Sequence, residues 1–231
     1  MLLTLPECGE VVFLAPHPDD EALGCAGTLT LLNRKGVSST VVFLTNGEKI
    51  QGEPSTVIAE KRKEEARRAS KMLGCREPVF LGFPDGEVGD HRDALSKHIA
   101  DIIAVKKPDI VFAPSPIDFH QDHMATAKIS LELLSKLDSF KLAFYEVYST
   151  IRFTHLIDIT EVVEQKKEVI LNYRTSLYGR PGIYVHVSLG LNAHRSFFTQ
   201  EKKYYEAFWI LEQPFNRQEI TNWLSFGFSI T

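Results

Sequence analysis

The chain has 231 residues, of which 44% are hydrophobic and 24% charged, with a formal net charge of −4 at neutral pH. That length and composition fit one α/β domain or two small ones, and the acidic balance gives no support to a nucleic-acid partner. No apolar run is long enough for a membrane span, and residues 1–7 lack the basic and long apolar regions of a signal peptide.

Strand and helix patterns alternate from the start. Residues 10–15 are apolar and β-branched and read as a fully buried strand. Residues 21–35 read as a helix of small apolar side chains packed closely on a sheet, with Gly36 as its stop. A strand over 39–45 leads into a polar loop over 46–55. Residues 57–73 form a long charged helix with a solvated face, closed by Gly74. Residues 79–81 are a short strand, 82–86 a turn, 94–105 a helix and 109–113 a fourth strand. Strands follow over 140–147 and 156–159, and a helix over 161–173. Residues 178–192 show no clear period, and 196–211 read as helical. This order predicts a single domain over residues 1–231. Its Rossmann-like sheet is mostly parallel with helices on both faces, because the strands are unalternating apolar runs. Three widely spaced cysteines, Cys8, Cys25 and Cys75, make no C-x-x-C pair. They argue against a disulfide framework and a structural zinc site, and fit a reducing cytoplasm. Cys25 reads as a buried packing residue.

The chemistry gathers in two loops. Pro16-His17-Pro18-Asp19-Asp20-Glu21 stands where the first buried strand stops and a helix starts. His120-Gln121-Asp122-His123 has the same setting after the fourth strand. Asp20 or Glu21 could cap the helix and do nothing more. The second cluster favours a bound divalent metal, because so much buried carboxylate needs a cation.

A catalytic zinc takes three protein ligands and keeps one position open. His17, Asp20 and His123 offer that set. Asp19, beside the ligand pair, is then free to act as base toward water on the metal. His120 can protonate a leaving group, with Asp122 to orient it and raise its pKa. Such a site suits hydrolysis of an amide or ester. There is no G-x-S-x-G elbow, no H-E-x-x-H, no dinucleotide fingerprint after the first strand and no P-loop. Two alternatives stay open at this point. One is a metal-dependent hydrolase of some other small amide or ester; the other is a catalytically dead carbohydrate-binding module.

Taken together, the two motifs resemble the PIG-L/LmbE-like zinc-dependent N-deacetylases. Leu44-Thr45-Asn46-Gly47-Glu48, Arg62-Lys63-Glu64-Glu65-Ala66 with Leu73-Gly74, Phe83-Pro84-Asp85-Gly86 and Tyr205-Glu206-Ala207-Phe208 resemble supporting segments of that family. The resemblance is strongest through about residue 135. It implies removal of an acetyl group from an N-acetylglucosamine-type sugar or conjugate, a small-molecule partner. It implies His17, Asp20 and His123 as zinc ligands, Asp19 as general base, and His120 as general acid with Asp122 behind it. Such a site also accepts Fe²⁺ or Co²⁺. By the same analogy Arg62 and Asp85 contact the sugar. From the residues alone, Arg62 is one charge among many on a helix and Asp85-Gly86 an ordinary turn. Gln121 stands where Pro is frequent in the family. Asp118 stands where some members place a tyrosine that holds the oxyanion. The zinc, or a donor such as His186 or His194, must then serve the oxyanion. His91, His98 and His155 read as surface or capping residues. A cytoplasmic location is expected, with a homo-oligomer left open.

Overall fold

Residues Glu10–Ala15 form β1, a strand with neighbours on both sides; every residue from Val11 to Ala15 is fully buried. The computed structural model describes residues 4–50, 54–137, 139–212 and 214. The readings over residues 1–3, 51–53 and the last residues of the chain lie outside the described residues. After β1 come α1 (Asp20–Arg34), β2 (Ser38–Thr45), α2 (Thr56–Leu73), β3 (Val79–Phe83), α3 (Arg92–Lys106) and β4 (Ile110–Pro114). Then follow α4 (Gln121–Lys136), β5 (Lys141–Tyr145), β6 (His155–Asp158), α5 (Val163–Asn172), α6 (Pro181–His194) and β7 (Tyr205–Leu211).

The strands make one sheet in the order β3-β2-β1-β4-β5-β7-β6. Pairing is parallel from β3 through β5, and β7 runs antiparallel between β5 and β6. The period of two along a strand sorts β1 between two cores. Val11 and Phe13 face the core shared with α1 and α5, whereas Val12 and Leu14 face the one shared with α3 and α4. Both faces are therefore covered, and the strands read as unbroken apolar runs.

Helix α1 is buried along nearly all its length. Its small residues make this possible: a Cβ on Gly24 would stand 2.6 Å from the Glu146 carbonyl oxygen, so the helix lies directly against the end of β5. An ion pair locks it from the other side. Lys166 Nζ, fully buried, bonds Glu206 Oε1 at 2.7 Å and the Leu23 carbonyl at 2.8 Å. Glu206 in turn accepts from the Gly27 and Thr28 N–H groups of α1. At the end of α2, Gly74 adopts φ 77°, the left-handed stop that its position in the sequence predicts.

Two expectations for the last third of the chain need correction. Residues 178–192 contain most of α6, and the segment read as helical over 196–211 holds a short 3-10 turn and the strand β7. The helix is masked by glycine and by apolar residues on several sides, so it carries no amphipathic period. The strand is decided by partners 47 to 69 residues earlier in the chain, which a local window does not contain. His155 also differs from its surface reading: it is buried at the start of β6, with its Nδ1 2.8 Å from Thr154 Oγ1.

Candidate active site

The two motif loops leave the carboxyl ends of β1 and β4, which lie side by side where the strand order reverses. Open α/β sheets form their ligand crevice there. Asp19 is the junction between β1 and α1. Its φ is 137°, a region that residues with a Cβ avoid. Strain of this kind persists where surrounding structure holds a side chain in one place. Capping does not explain the acidic cluster. Asp19 makes no side-chain cap bond, and Asp20 Oδ2 accepts the backbone N–H of His17 at 2.8 Å.

Asp20 spans the two histidines. Its Oδ2 lies 3.4 Å from His17 Nδ1, and its Oδ1 lies 3.2 Å from His123 Nε2. A ring nitrogen of His120 lies within 4.8 Å of one on each of His17 and His123. Asp20 Oδ1 and His123 Nε2 are buried without a hydrogen-bond partner, which is rare for polar atoms removed from water. The opposite edge of the His17 ring is occupied. Its Nε2 faces Asp85 Oδ1 at 3.1 Å and Asp122 Oδ2 at 3.2 Å. Burial opposes charge on His17, but Asp122, Asp20 and Asp85 outweigh it and raise its pKa well above the ordinary value. With a cation on the Asp20 side, a proton on Nε2 would stay with Asp85 and Asp122 and Nδ1 would be the ligand atom. Two imidazole nitrogens and a carboxylate gathered this closely are a donor set that fits a divalent cation. The surrounding charge fits it too, since Asp19, Asp20, Asp118 and Asp122 are all buried.

The adjacent acids are driven apart. Burial pushes the Asp19 carboxyl up to about 7; Arg62 pulls against that shift and Asp20 adds to it. Burial works against the charge on Asp20 as well, but His123 and His17 outweigh it and hold Asp20 well below the carboxylate range.

Arg62 is buried on an otherwise charged, solvated helix. Its guanidinium donates to the Gly47 carbonyl at 2.8 Å, the Pro18 carbonyl at 2.7 Å and Asp19 Oδ2 at 3.3 Å. Gly47 is required here: its φ is 60°, and a Cβ would meet the guanidinium at 2.2 Å. Arg62 thus ties three loop positions together while still lining the cleft. Asp85 lines it as well, and its Oδ2 accepts the Lys49 N–H. Burial opposes charge on Asp85, but the His17 bond brings its pKa down to about 2.

Asp122 departs from the role expected of it. Its carboxylate faces His17 and accepts from the Gly86 and Val88 N–H groups, at 2.8 and 3.2 Å. Only its backbone N–H meets His120, donating to Nδ1 at 3.2 Å. His120 is consequently not raised: burial lowers its pKa, and the His17 and His123 rings lower it further. With Nδ1 accepting, a neutral His120 carries its proton on Nε2. His186 and His194 are exposed on α6 and are not among the residues lining the cleft.

Asp118, read from the sequence only as standing where some members place a tyrosine, has a different place. It is buried, with Oδ2 at an ion-pair distance of 3.4 Å from His123 Nδ1. It also accepts the His120 N–H at 3.0 Å and the Tyr148 N–H at 3.3 Å. The signal was present as an acid two residues before a motif histidine, since a ligating imidazole usually gives its second nitrogen to a carboxylate.

The cleft over these residues has a volume of about 600 Å³. The sequence profile of the PIG-L family, described as GlcNAc-PI de-N-acetylase, matches residues 12–134, over half of the chain. A diacetylchitobiose deacetylase from Thermococcus kodakarensis is 28% identical over 72% of this chain and 69% of its own length. A probable N-acetyl-alpha-D-glucosaminyl L-malate deacetylase from Bacillus cereus is 28% identical over 80% of this chain and 82% of its own. Among solved structures, the N,N'-diacetylchitobiose deacetylase of Pyrococcus horikoshii superposes with a TM-score of 0.75 at 24% identity, covering 89% of this chain and 84% of that one. That superposition speaks for the fold, and the profile spans both motif loops. On these grounds the chain belongs to the PIG-L family.

Proposed function

We propose that this chain is a zinc-dependent N-deacetylase that hydrolyses the acetamide of an N-acetylglucosamine-type sugar or sugar conjugate. The observation that carries the reading is the buried cluster in which Asp20 lies between His17 Nδ1, at 3.4 Å, and His123 Nε2, at 3.2 Å, with Asp20 Oδ1 and His123 Nε2 making no hydrogen bond. These three residues would hold the cation. The chemistry that a divalent cation supplies at such a place is water acidified toward a pKa of about 7 and a polarised acetamide carbonyl.

The chain's own residues supply the rest. Asp19, adjacent to Asp20 and held by the Arg62 guanidinium at 3.3 Å, accepts the proton of the attacking water. Arg62 fixes the Asp19 carboxylate, which matters because base catalysis falls steeply with misplacement. The water oxygen bonds to the acetyl carbon, the C–N bond breaks, and acetate leaves with a free amine. The proton that Asp19 has taken passes to the departing amine nitrogen, while neutral His120, its Nδ1 accepting the Asp122 N–H, keeps its Nε2 proton and donates a hydrogen bond from it. Asp85, at the cleft wall, is placed to accept from sugar hydroxyls. Zinc is the metal proposed for this donor set, with Fe²⁺ and Co²⁺ as substitutes. The relatives named above act on N-acetylated glucosamine units by their names, which supports the same group here.

The test is acetate release from N-acetylglucosamine, N,N'-diacetylchitobiose and an N-acetylglucosaminyl malate. Metal-replete protein should release acetate from at least one. A chelator should stop the reaction and Zn²⁺ should restore it. No release from any of the three, with Asp19→Ala indistinguishable from the parent, would overturn the proposal.

A further inference from the structure

Gly86, in the turn after β3, offers both of its backbone polar groups to the start of α4. Its N–H donates to Asp122 Oδ2 at 2.8 Å, and its carbonyl accepts from Gln121 Nε2 at 2.6 Å. Two adjacent side chains of one helix therefore grip a single residue of the turn. Asp122 has other work, since its carboxylate also meets His17 and the Val88 N–H. Gln121 has none: among the described residues its side chain makes no other hydrogen bond, although it lines the cleft.

Gln121 is the first residue of α4. Proline suits that place, because its fixed φ starts a helix and the N–H it lacks has no partner within the helix. A proline ring carries no donor and could not hold the Gly86 carbonyl. Glutamine forgoes the preset backbone and gains a tie to the turn.

The residue that this tie keeps in place is Asp85. Its Oδ1 lies 3.1 Å from His17 Nε2, and its Oδ2 accepts the Lys49 N–H at 3.1 Å. Its own N–H donates to Glu48 Oε1 at 2.9 Å. These contacts fasten Asp85 to the loops that follow β1 and β2. The side toward α4 is fastened through its neighbour Gly86, by Gln121 and Asp122.

We propose that Gln121 is a positioning residue for the reaction: its carboxamide fixes the Asp85–Gly86 turn on α4 and so keeps Asp85 at the sugar-facing wall of the cleft. It acts through Asp85 and touches neither the attacking water nor the departing amine. The assignment rests on the deacetylase reading above. Asp122 alone still holds the Gly86 N–H, so the turn survives the loss of Gln121 in a folded protein.

The experiment uses two variants of metal-replete protein. Gln121→Met removes the donor and keeps the length and helix propensity of the side chain. Gln121→Pro removes it and keeps a residue suited to the first helical position. The first readout needs no turnover. Amide hydrogen exchange at Lys49, Asp85 and Gly86 should quicken by about threefold to tenfold in both variants, the worth of one neutral hydrogen bond. Amides in the middle of α4 should keep the parental rate. The second readout is acetate release from the best of the three substrates tested above. KM should rise by a similar factor with kcat within about twofold of the parent. In an Asp85→Ala background, Gln121→Met should leave KM where it stands, because the residue it acts through is gone. Parental exchange rates in both variants, or effects of Gln121→Met and Asp85→Ala on KM that simply add, overturn the positioning role and leave a deacetylase in place. A parent that releases no acetate overturns the deacetylase reading instead, and the exchange rates then still decide whether Gln121 holds the turn.

Discussion

Asp118 illustrates how a single carboxylate can matter without touching the reaction. It sits behind His123 and also receives the backbone N–H groups of His120 and Tyr148. Partners of this kind fix a ligand's ring and raise its basicity, and losing one typically weakens metal binding by about 10–100-fold. Asp118→Ala should therefore lower Zn²⁺ affinity by about that factor in a chelator competition. An affinity within twofold of the parent would remove Asp118 from the site. Glu21 gives a prediction in pH. Burial pushes its carboxyl up to about 8, against the Tyr173 hydroxyl bonded to it. Its folded pKa thus lies above the unfolded value of about 4.3. The folded state keeps the extra proton between those limits, so the stability it confers is full at low pH and lost as pH rises through about 8. In metal-free protein, Glu21→Gln should gain stability relative to the parent at about pH 9 compared with about pH 5. Equal differences at both pH values, measured by urea unfolding, would show that Glu21 titrates normally.

Helix α1 is the element that presents Asp20, and its seat is polar as well as apolar. Lys166 and Glu206 form a fully buried pair that also binds the helix backbone at Leu23, Gly27 and Thr28. Removing one partner leaves the other charge buried and unpaired, a loss of about 3–5 kcal/mol. Lys166→Met should cost that much in chemical denaturation; a cost under about 1 kcal/mol would mean that the pair contributes little. This pair also shows what the sequence conceals. Tyr205-Glu206-Ala207-Phe208 stands out as a motif, but its role depends on a strand inserted between β5 and β6 and on a lysine forty residues earlier. The same pairing explains why residues 205–211 read as helix locally. Buried both sides of the sheet, β1, β2 and β4 announce themselves by composition alone, and their helices follow from caps such as Gly74.

At the scale of the molecule, the sheet order decides the chemistry. The motifs at residues 16–21 and 120–123 become one site because β4 pairs with β1 on the side away from β2. Each cluster is legible in the sequence by its strand-loop-helix setting, and the proposed ligand and base assignments start from the residue types in it. Orientation is less legible. That Asp122 faces His17 and not His120, and that Arg62 is buried against Pro18, Asp19 and Gly47, depends on how β3, α2 and the turn at Gly86 close over the site. Among the described residues no helix is long and apolar enough to cross a membrane.

The direct test pairs metal content with acetate release in the parent, His123→Ala and Asp19→Asn. The parent should carry about one divalent ion per chain, as a single set of three ligands requires. His123→Ala should lose the ion and the activity together. Asp19→Asn should keep the ion and lose about 100-fold or more in turnover, the usual worth of a positioned base. Equal loss of metal in both variants, or an Asp19→Asn enzyme as fast as the parent, would contradict the division between cation-holding and proton-accepting residues.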